Sequence, residues 1–141
     1  MTDNDPTIPA PSRSVVDEVI ELRRHFHRHP EVSWSEFETS RQIGARLTQL
    51  GLELKPCPTD TGVVAMLDTG RPGKTVMLRA DIDGLPIHEE SGVPFASRSD
   101  RRMHACGHDA HMAIMIGVAC VLTGIAFAGC LLMSGTHMDF R

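Results

Sequence analysis

The sequence is poor in aromatic residues: it contains no tyrosine, one tryptophan and five phenylalanines among 141 residues. So few rings offer no platform on which nucleic-acid bases could stack. Basic residues are not in excess either, because 18 Asp and Glu outnumber 14 Lys and Arg and give a formal net charge of −4. A protein that follows a phosphate backbone normally carries a basic face, and here both signs are interspersed. We therefore expect no nucleic-acid partner.

Paired cysteines and export signals are missing as well. No two of the four cysteines have the Cys-x-x-Cys spacing of a zinc finger, which excludes that class of metal site. The first 12 residues are polar and rich in proline, without the basic and then apolar pattern of a signal peptide. Structural disulfides form mainly in oxidising compartments, so we expect reduced thiols and a cytoplasmic protein.

The length suits one domain or part of one, since a domain of about 150 residues buries roughly 68–70% of its unfolded surface. Residues 1–13 hold three prolines and are predicted to be a disordered tail. Apolar residues at helical spacing then predict a first helix, with Ser14 as its N-cap and Pro30 as its stop.

A second helix is predicted at residues 36–50, with Ser33 or Ser35 as its cap and Gly51 directly after its end. Helical spacing of the apolar residues predicts one face that packs in the core. The members of that face are Phe37, Ile43, Leu47 and Leu50.

Three strands are predicted after the helices. Residues 52–55 alternate in polarity like an edge strand, and residues 62–67 and 75–80 are apolar runs of strand length. The connection at 68–74 contains two glycines and a proline. This short connection predicts that the second and third strands form a hairpin.

Reactive side chains are densest in residues 103–111, Met-His-Ala-Cys-Gly-His-Asp-Ala-His. Thiolates and neutral imidazoles are the ligands that divalent transition metals prefer. Gly107 lets the backbone bend between the two strongest candidates, Cys106 and His108. An uncharged apolar run follows and predicts a buried helix, whose positive N-terminal end favours a thiolate. We predict a metal site here, with His104 and His111 as flanking candidates.

Two other interpretations of this cluster stay open. In the first, Cys106 is a buried thiol beside surface histidines. In the second, Cys106 is a nucleophile with a histidine as its base, which requires a thiol that is free of metal.

Two acids lie where the third predicted strand ends. Asp81 and Asp83 could bind a metal there or orient a ligand histidine. A solvated turn is the alternative, because Asp, Gly and Pro are common turn residues.

Two further groups of ionisable residues are interpreted as surface charge. The histidines at the end of the first helix would be scattered around its axis, as expected for capping and solvated groups. They are His25, His27 and His29. Residues 88–90, His-Glu-Glu, lie in a predicted irregular loop at 87–102.

Four stretches of the sequence resemble the M20-family metallopeptidases, in the amidohydrolase branch that cleaves N-acyl amino acids, hippurate and auxin conjugates. They are residues 23–31 (RRHFHRHPE), 36–39 (EFET), 79–86 (RADIDGLP) and 103–111 (MHACGHDAH). The stretches follow the order of the family, and the resemblance extends over about residues 14–120. It implies that 14–123 form the N-terminal part of an α/β, sheet-centred catalytic domain of the zinc-peptidase-like fold.

The resemblance also implies a hydrolase with two divalent metal ions, which could be zinc, manganese, cobalt or nickel. Cys106 and His108 match the first two metal ligands of the family, and Asp83 matches an acid that supports the metal centre. His27 and Glu31 match the first family motif, for which a structural role is expected. The implied substrate is a small N-acyl amino acid or peptide, and intact relatives are expected to form homo-oligomers.

Other parts of the family pattern have no counterpart in this sequence. The family's catalytic Glu-Glu pair and two further histidine ligands are missing, because the only acid after Asp109 is Asp139 and the only histidine after the cluster is His137. The lid or dimerisation domain is absent too. We predict no useful turnover by this chain alone, and the alternative is a non-catalytic remnant or a weak metal-binding fragment.

The last residues do not resemble the family's next strand. Residues 124–141 are therefore interpreted as an atypical tail of a truncated or frameshifted gene product. Residues 112–133 are 22 residues without a charge, and about 20 such residues can span a membrane. Three glycines dilute this run, so we favour a core helix with exposed apolar surface over a membrane anchor.

Overall fold

The computed structural model of the chain describes residues 10–125 and 128–136, which form three helices and one four-stranded sheet. The elements are α1 (Arg13–Arg28), α2 (Phe37–Gln49), β1 (Glu53–Lys55), β2 (Val63–Asp68), β3 (Thr75–Asp81), α3 (His108–Thr123) and β4 (Cys130–Thr136). The expected α/β class is confirmed. Most of the tail predicted at 1–13 lies outside the described residues, although α1 already begins at Arg13.

Helix α1 begins two residues earlier than predicted because a different serine caps it. The Ser12 hydroxyl, rather than that of Ser14, accepts the Val15 N–H at 3.4 Å. A side-chain oxygen in this position satisfies one of the N–H groups that have no partner within the helix. The helix ends at Arg28, before Pro30, as predicted.

Helix α2 is capped by a carboxylate from the preceding loop rather than by Ser33 or Ser35. The Glu31 carboxylate accepts the backbone N–H groups of Glu38 at 3.3 Å and Thr39 at 2.7 Å. An acid is favoured at this end of a helix because the free N–H groups and the macrodipole are both positive there. Glu31 therefore has the structural role expected of it, which is to hold the connection between α1 and α2 against α2.

The predicted hairpin between β2 and β3 is wrong, because β4 lies between these strands. The strand order is β1-β2-β4-β3, and β4 runs antiparallel to β2 and parallel to β3. The connection between β2 and β3 must cross two strand spacings, about 10 Å, which six residues span easily. The short connection is therefore compatible with β2 and β3 that do not pair with each other. The predicted edge position of β1 is confirmed.

Residues 130–136 form the central strand of the sheet, so the expectation that the chain after Gly124 does not continue as a strand is wrong for this segment. Leu131 and Met133 point into the core and are 3% and 0% exposed. The hypothesis of a frameshifted gene product stays a prediction, and residues 137–141 lie outside the described part of the chain.

Gly129 lets β4 begin between the two ends of the β2–β3 connection. Its N–H donates to the Arg71 carbonyl at 3.1 Å, and its carbonyl accepts the Thr69 hydroxyl at 2.8 Å. The φ of Gly129 is +109°, and a Cβ on it would lie 2.2 Å from the Lys74 carbonyl oxygen. Only glycine accommodates both the conformation and this close approach.

Helices α2 and α3 pack on the same face of the sheet. Ile43 of α2 and Met115 of α3 both approach Gly135 of β4. Helix α1 packs on α3 at Gly117, where an added Cβ would lie 2.6 Å from Val19 Cγ2. Phe37 was predicted to share the core face of α2, and this is wrong, because 59% of Phe37 is exposed.

The uncharged run at 112–133 does not form one continuous helix. It is divided between most of α3 and the first residues of β4. Within residues 10–125 and 128–136, no helix is both long and apolar enough to cross a membrane.

The central position of β4 makes a stability prediction. Met133→Ala should lower the free energy of unfolding by about 2–5 kcal/mol, because it leaves a cavity at a fully buried position. Val76→Ala, on the exposed edge strand β3, should change it by less than about 0.5 kcal/mol. Urea unfolding measures both values. If Met133→Ala changed the free energy of unfolding as little as Val76→Ala does, a core position for β4 would be contradicted.

Candidate metal centre

The two predicted ligands lie on either side of the N-cap of α3 and have different environments. Residues 104–107 form a turn, in which the Gly107 N–H donates to the His104 carbonyl at 3.3 Å. Gly107 has a left-handed φ of +81° and is followed by His108, the first residue of the helix. The Cys106 thiol is exposed, whereas the His108 ring is buried. The predicted buried helix is confirmed, but it begins at His108, inside the cluster, rather than after it.

Asp83 fixes the orientation of the His108 ring. Nδ1–H of His108 donates to the Asp83 carbonyl at 2.9 Å and lies 3.1 Å from Oδ1 of the same residue. The Ser33 hydroxyl donates to Asp83 Oδ2 at 2.5 Å. These partners assign the ring proton to Nδ1, so Nε2 keeps a free lone pair and has no hydrogen-bond partner among the described residues. A metal-binding histidine is usually held in this way by a carboxylate or a carbonyl.

Asp81 and Asp83 have different partners although they are two residues apart. Asp81 is the last residue of β3 and forms an ion pair with Arg79 at 2.5 Å. Arg79 also donates to Thr136 Oγ1 on the neighbouring strand at 2.9 Å. The solvated-turn interpretation is wrong for Asp83, which is 2% exposed and contacts His108. Of the two acids, only Asp83 contacts a candidate ligand in the described structure.

The two flanking histidines of the cluster, His104 and His111, also differ in burial. His111 is exposed, and its ring lies 5.6 Å from that of His108. His104 is 4% exposed, and within the described residues neither of its ring nitrogens has a hydrogen-bond partner. Burial lowers the pKa of His104 to about 4, against the opposing effect of the nearby Asp109 carboxylate. His104 is therefore neutral at pH 7.

A second polar cluster lies beside the start of α3; we call it the His27 cluster. Its members are Arg23, His27, Glu89, Phe95 and Asp109. Nδ1 of His27 lies 2.7 Å from Asp109 Oδ2, and its Nε2 lies 3.0 Å from Glu89 Oε1. Nε of Arg23 lies 2.9 Å from the same Asp109 oxygen. The prediction that His27 is a solvated charge is therefore wrong, whereas His29 is exposed as expected.

Glu89 is also not the surface charge that its loop predicted. Its side chain is 3% exposed and accepts the Ser97 N–H at 2.6 Å, in addition to hydrogen bonds from Ser91 and His27. Burial by itself would raise the pKa of Glu89, but these three hydrogen bonds outweigh it and lower the pKa to about 2. Its neighbours His88 and Glu90 are exposed, as predicted.

One signal for the His27 cluster was present in the sequence. Arg23 and His27 are four residues apart, which places them on one face of α1. Their acidic partners are 62 and 82 residues from His27 along the chain. Neither helical spacing nor charge pattern indicates contacts at that separation.

The donor set fits part of a divalent metal site. A thiolate and an imidazole with an available Nε2 are suitable ligands, and Asp83 supplies the hydrogen bond that orients the imidazole. A tetrahedrally coordinated metal ion needs four ligands. In the described part of the chain, no group of three or more metal-binding side chains is positioned to hold an ion. Cys106 and His108 can therefore provide only some of the ligands. Cys106 has no hydrogen bond to a base among the described residues, as a nucleophile would require.

Known proteins of one hydrolase family match this chain in sequence. Residues 77–130 match the model of peptidase family M20/M25/M40. The chain is 45% identical over 105 residues to the N-acetyl-L-cysteine deacetylase of Bacillus subtilis (strain 168), covering 74% of this chain and 25% of that protein. It is 42% identical over 111 residues to the thermostable carboxypeptidase 2 of Saccharolobus solfataricus, covering 78% and 28% of the two chains.

A solved structure has the same fold. The YXEP protein of Bacillus subtilis, described as a dinuclear metal-binding peptidase of the M20 family, superposes with a TM-score of 0.83 at 38% sequence identity. The match covers 88% of this chain and 35% of that one. The chain therefore resembles members of the peptidase M20 family, and it spans about a quarter to a third of the length of these relatives.

The buried Glu89 makes a prediction about pH. Its folded pKa of about 2 lies below the ordinary value of 4.5, so the ionised carboxylate stabilises the fold above pH 4.5. This contribution is lost as the pH falls through 4.5 towards 2. Glu89→Gln should therefore be less stable than the wild type at pH 7, and the difference should shrink below pH 4.5.

Thermal unfolding between pH 2 and 7 measures this difference, and Glu90→Gln is the matched control because Glu90 is exposed. Glu90→Gln should follow the wild type over the whole range. A pH-independent difference for Glu89→Gln would show that the Glu89 charge does not stabilise the fold.

Proposed function

We propose that this chain supplies part of the metal centre of a metal-dependent amidohydrolase, which cleaves the amide bond of N-acyl amino acids or small peptides. The main support is the Asp83–His108 pair, which leaves His108 Nε2 available two residues from an exposed thiol. The relatives named as a deacetylase and a carboxypeptidase support a hydrolase of amide or peptide bonds. The dinuclear description of the YXEP structure supports two divalent ions in the complete site.

In this proposal Cys106 and His108 are metal ligands, and Asp83 orients the His108 ring. A bound divalent ion, such as zinc, manganese, cobalt or nickel, would polarise the substrate carbonyl and lower the pKa of a bound water. The Asp83 hydrogen bond keeps the proton on Nδ1 of His108 and thereby keeps Nε2 free to bind. The exposed side of Cys106 is where the substrate and the other ligands would approach.

We propose further that the chain by itself has no useful turnover. The reaction needs a base that takes a proton from the water and passes it to the leaving amine. The sequence contains no glutamate after Glu90 that could correspond to the family's catalytic pair. The second candidate is therefore a non-catalytic remnant or a weak metal-binding fragment. We place the protein in the cytoplasm, where its four free cysteines would stay reduced.

Cobalt(II) titration of the reduced chain tests the ligand assignment. The wild type should develop a thiolate-to-cobalt absorption band, and Cys106→Ser should lose it. Asp83→Asn should bind cobalt roughly 10–100-fold more weakly, because the ring loses its orienting partner. Cys57→Ser is the control, since this half-buried thiol lies away from the cluster, and it should keep the band. An unchanged band in Cys106→Ser would contradict the assignment.

A hydrolysis assay tests the prediction of inactivity. The purified chain, supplied with manganese, zinc or cobalt, should release no more product from hippurate or N-acetyl amino acids than the metal salt alone. Turnover that disappears in Cys106→Ser would overturn the inactivity prediction and would support hydrolase chemistry directly. If the chain shows neither turnover nor the cobalt absorption band, the interpretation as a non-catalytic remnant is favoured.

A further inference from the structure

The His27 cluster contains two carboxylates that have little access to solvent. The side chains of Asp109 and Glu89 are 0% and 3% exposed, and that of His27 is 5% exposed. Arg23 supplies one positive charge to Asp109. A buried carboxylate is unfavourable unless it is paired and hydrogen-bonded, and one arginine does not balance two carboxylates.

His27 supplies the missing hydrogen bonds. Both of its ring nitrogens face carboxylate oxygens, which can only accept. A neutral imidazole donates from one nitrogen only, so its other nitrogen would direct a lone pair at a carboxylate. The geometry is satisfied when both nitrogens carry a proton, and the ring then also provides the second positive charge.

The acid that His27 holds is next to the candidate ligand. His108 and Asp109 are the first two residues of α3, and both are buried. Asp83 holds His108, and His27 holds Asp109, so the first turn of the helix is held by two separate elements. Residues of the loop at 87–102 also hold His27 in place. Glu89, which contacts His27, accepts the Ser97 N–H, and the Phe95 ring stands edge-on to the His27 ring at a centroid distance of 5.5 Å.

We propose that His27 is a positioning residue for the metal centre: as a donor from both ring nitrogens it couples Asp109 to Glu89 and thereby fixes the first turn of α3. Its relevance to metal binding rests on the proposed function. Its effect on the helix does not, because these contacts join protein side chains only.

Amide hydrogen exchange of the metal-free chain tests the positioning role. The reporters are the N–H groups of Ala110 and His111, which donate to the Gly107 carbonyl at 3.0 and 3.2 Å. His27→Gln should speed exchange at these two amides at least tenfold, because an amide side chain cannot donate at both positions. The amides of Ile116 in the middle of α3 and Met133 in β4 should be unaffected. His29→Gln, at the exposed C-cap of the same helix, is the matched control and should change neither set.

A milder variant covers the case in which His27→Gln does not fold. Glu89→Gln keeps an acceptor for His27 but removes one charge, so it should speed exchange of the same two amides by a smaller factor. Faster exchange at all four amides alike would indicate general destabilisation and would overturn the proposal. Unchanged exchange at Ala110 and His111 would also overturn it.

Cobalt(II) binding separates this inference from the proposed function. If His108 is a ligand, His27→Gln should weaken cobalt binding about tenfold while the Cys106 absorption band stays visible at saturation. If the wild type binds no cobalt but the exchange result is as expected, the proposed metal site fails and the positioning role stands. If the wild type binds cobalt and His27→Gln changes neither exchange nor affinity, the positioning role fails and the metal site stands.

Discussion

The burial of three carboxylates around the first turn of α3 is the constraint on which the candidate site depends. Asp83, Glu89 and Asp109 have side chains that are 1%, 3% and 0% exposed. Removing a carboxylate from water costs several kcal/mol unless hydrogen bonds and opposite charges replace the lost solvation. The partners come from α1, from the loop after α1, from the loop at 87–102 and from α3 itself. Pairing the carboxylates therefore brings these distant segments together, although Asp109 Oδ1 has no hydrogen-bond partner among the described residues.

This arrangement gives the site a rigid side and an open side. On the rigid side, His108 and Asp109 are each held by a residue from another element. On the open side, the Cys106 thiol and the His111 ring are exposed. A metal-binding group must be held in a productive orientation while the reacting side stays accessible, and the two sides of the α3 turn meet these requirements separately.

The sheet supports the site through β4, which lies in the segment that was interpreted from the sequence as an atypical tail. β3 ends just before Asp83, and β3, α3 and β4 form a parallel β-α-β unit. Because β4 lies in the centre, it fixes β3 on one side and β2 on the other. The end of β3 and the start of α3 are thereby held in one frame, which explains why Asp83 and His108 meet although 25 residues separate them.

The sequence by itself determined the local features. Apolar spacing with Pro30 and Gly51 defined α1 and α2, and the density of Cys and His in 103–111 identified the candidate ligands at the start of α3. The four resembling stretches indicated the family, the α/β class and the role of Asp83, because those motifs occupy short continuous segments.

Only the tertiary structure decided which residues are buried together. Strand order depended on pairing between segments more than 50 residues apart, and a short connection could not reveal that β4 separates β2 from β3. His27 and Glu89 resembled surface charge because their partners are remote in sequence, and burial of an ionisable group depends on those partners. Local spacing governs helices and turns, whereas desolvation and pairing are properties of the whole fold.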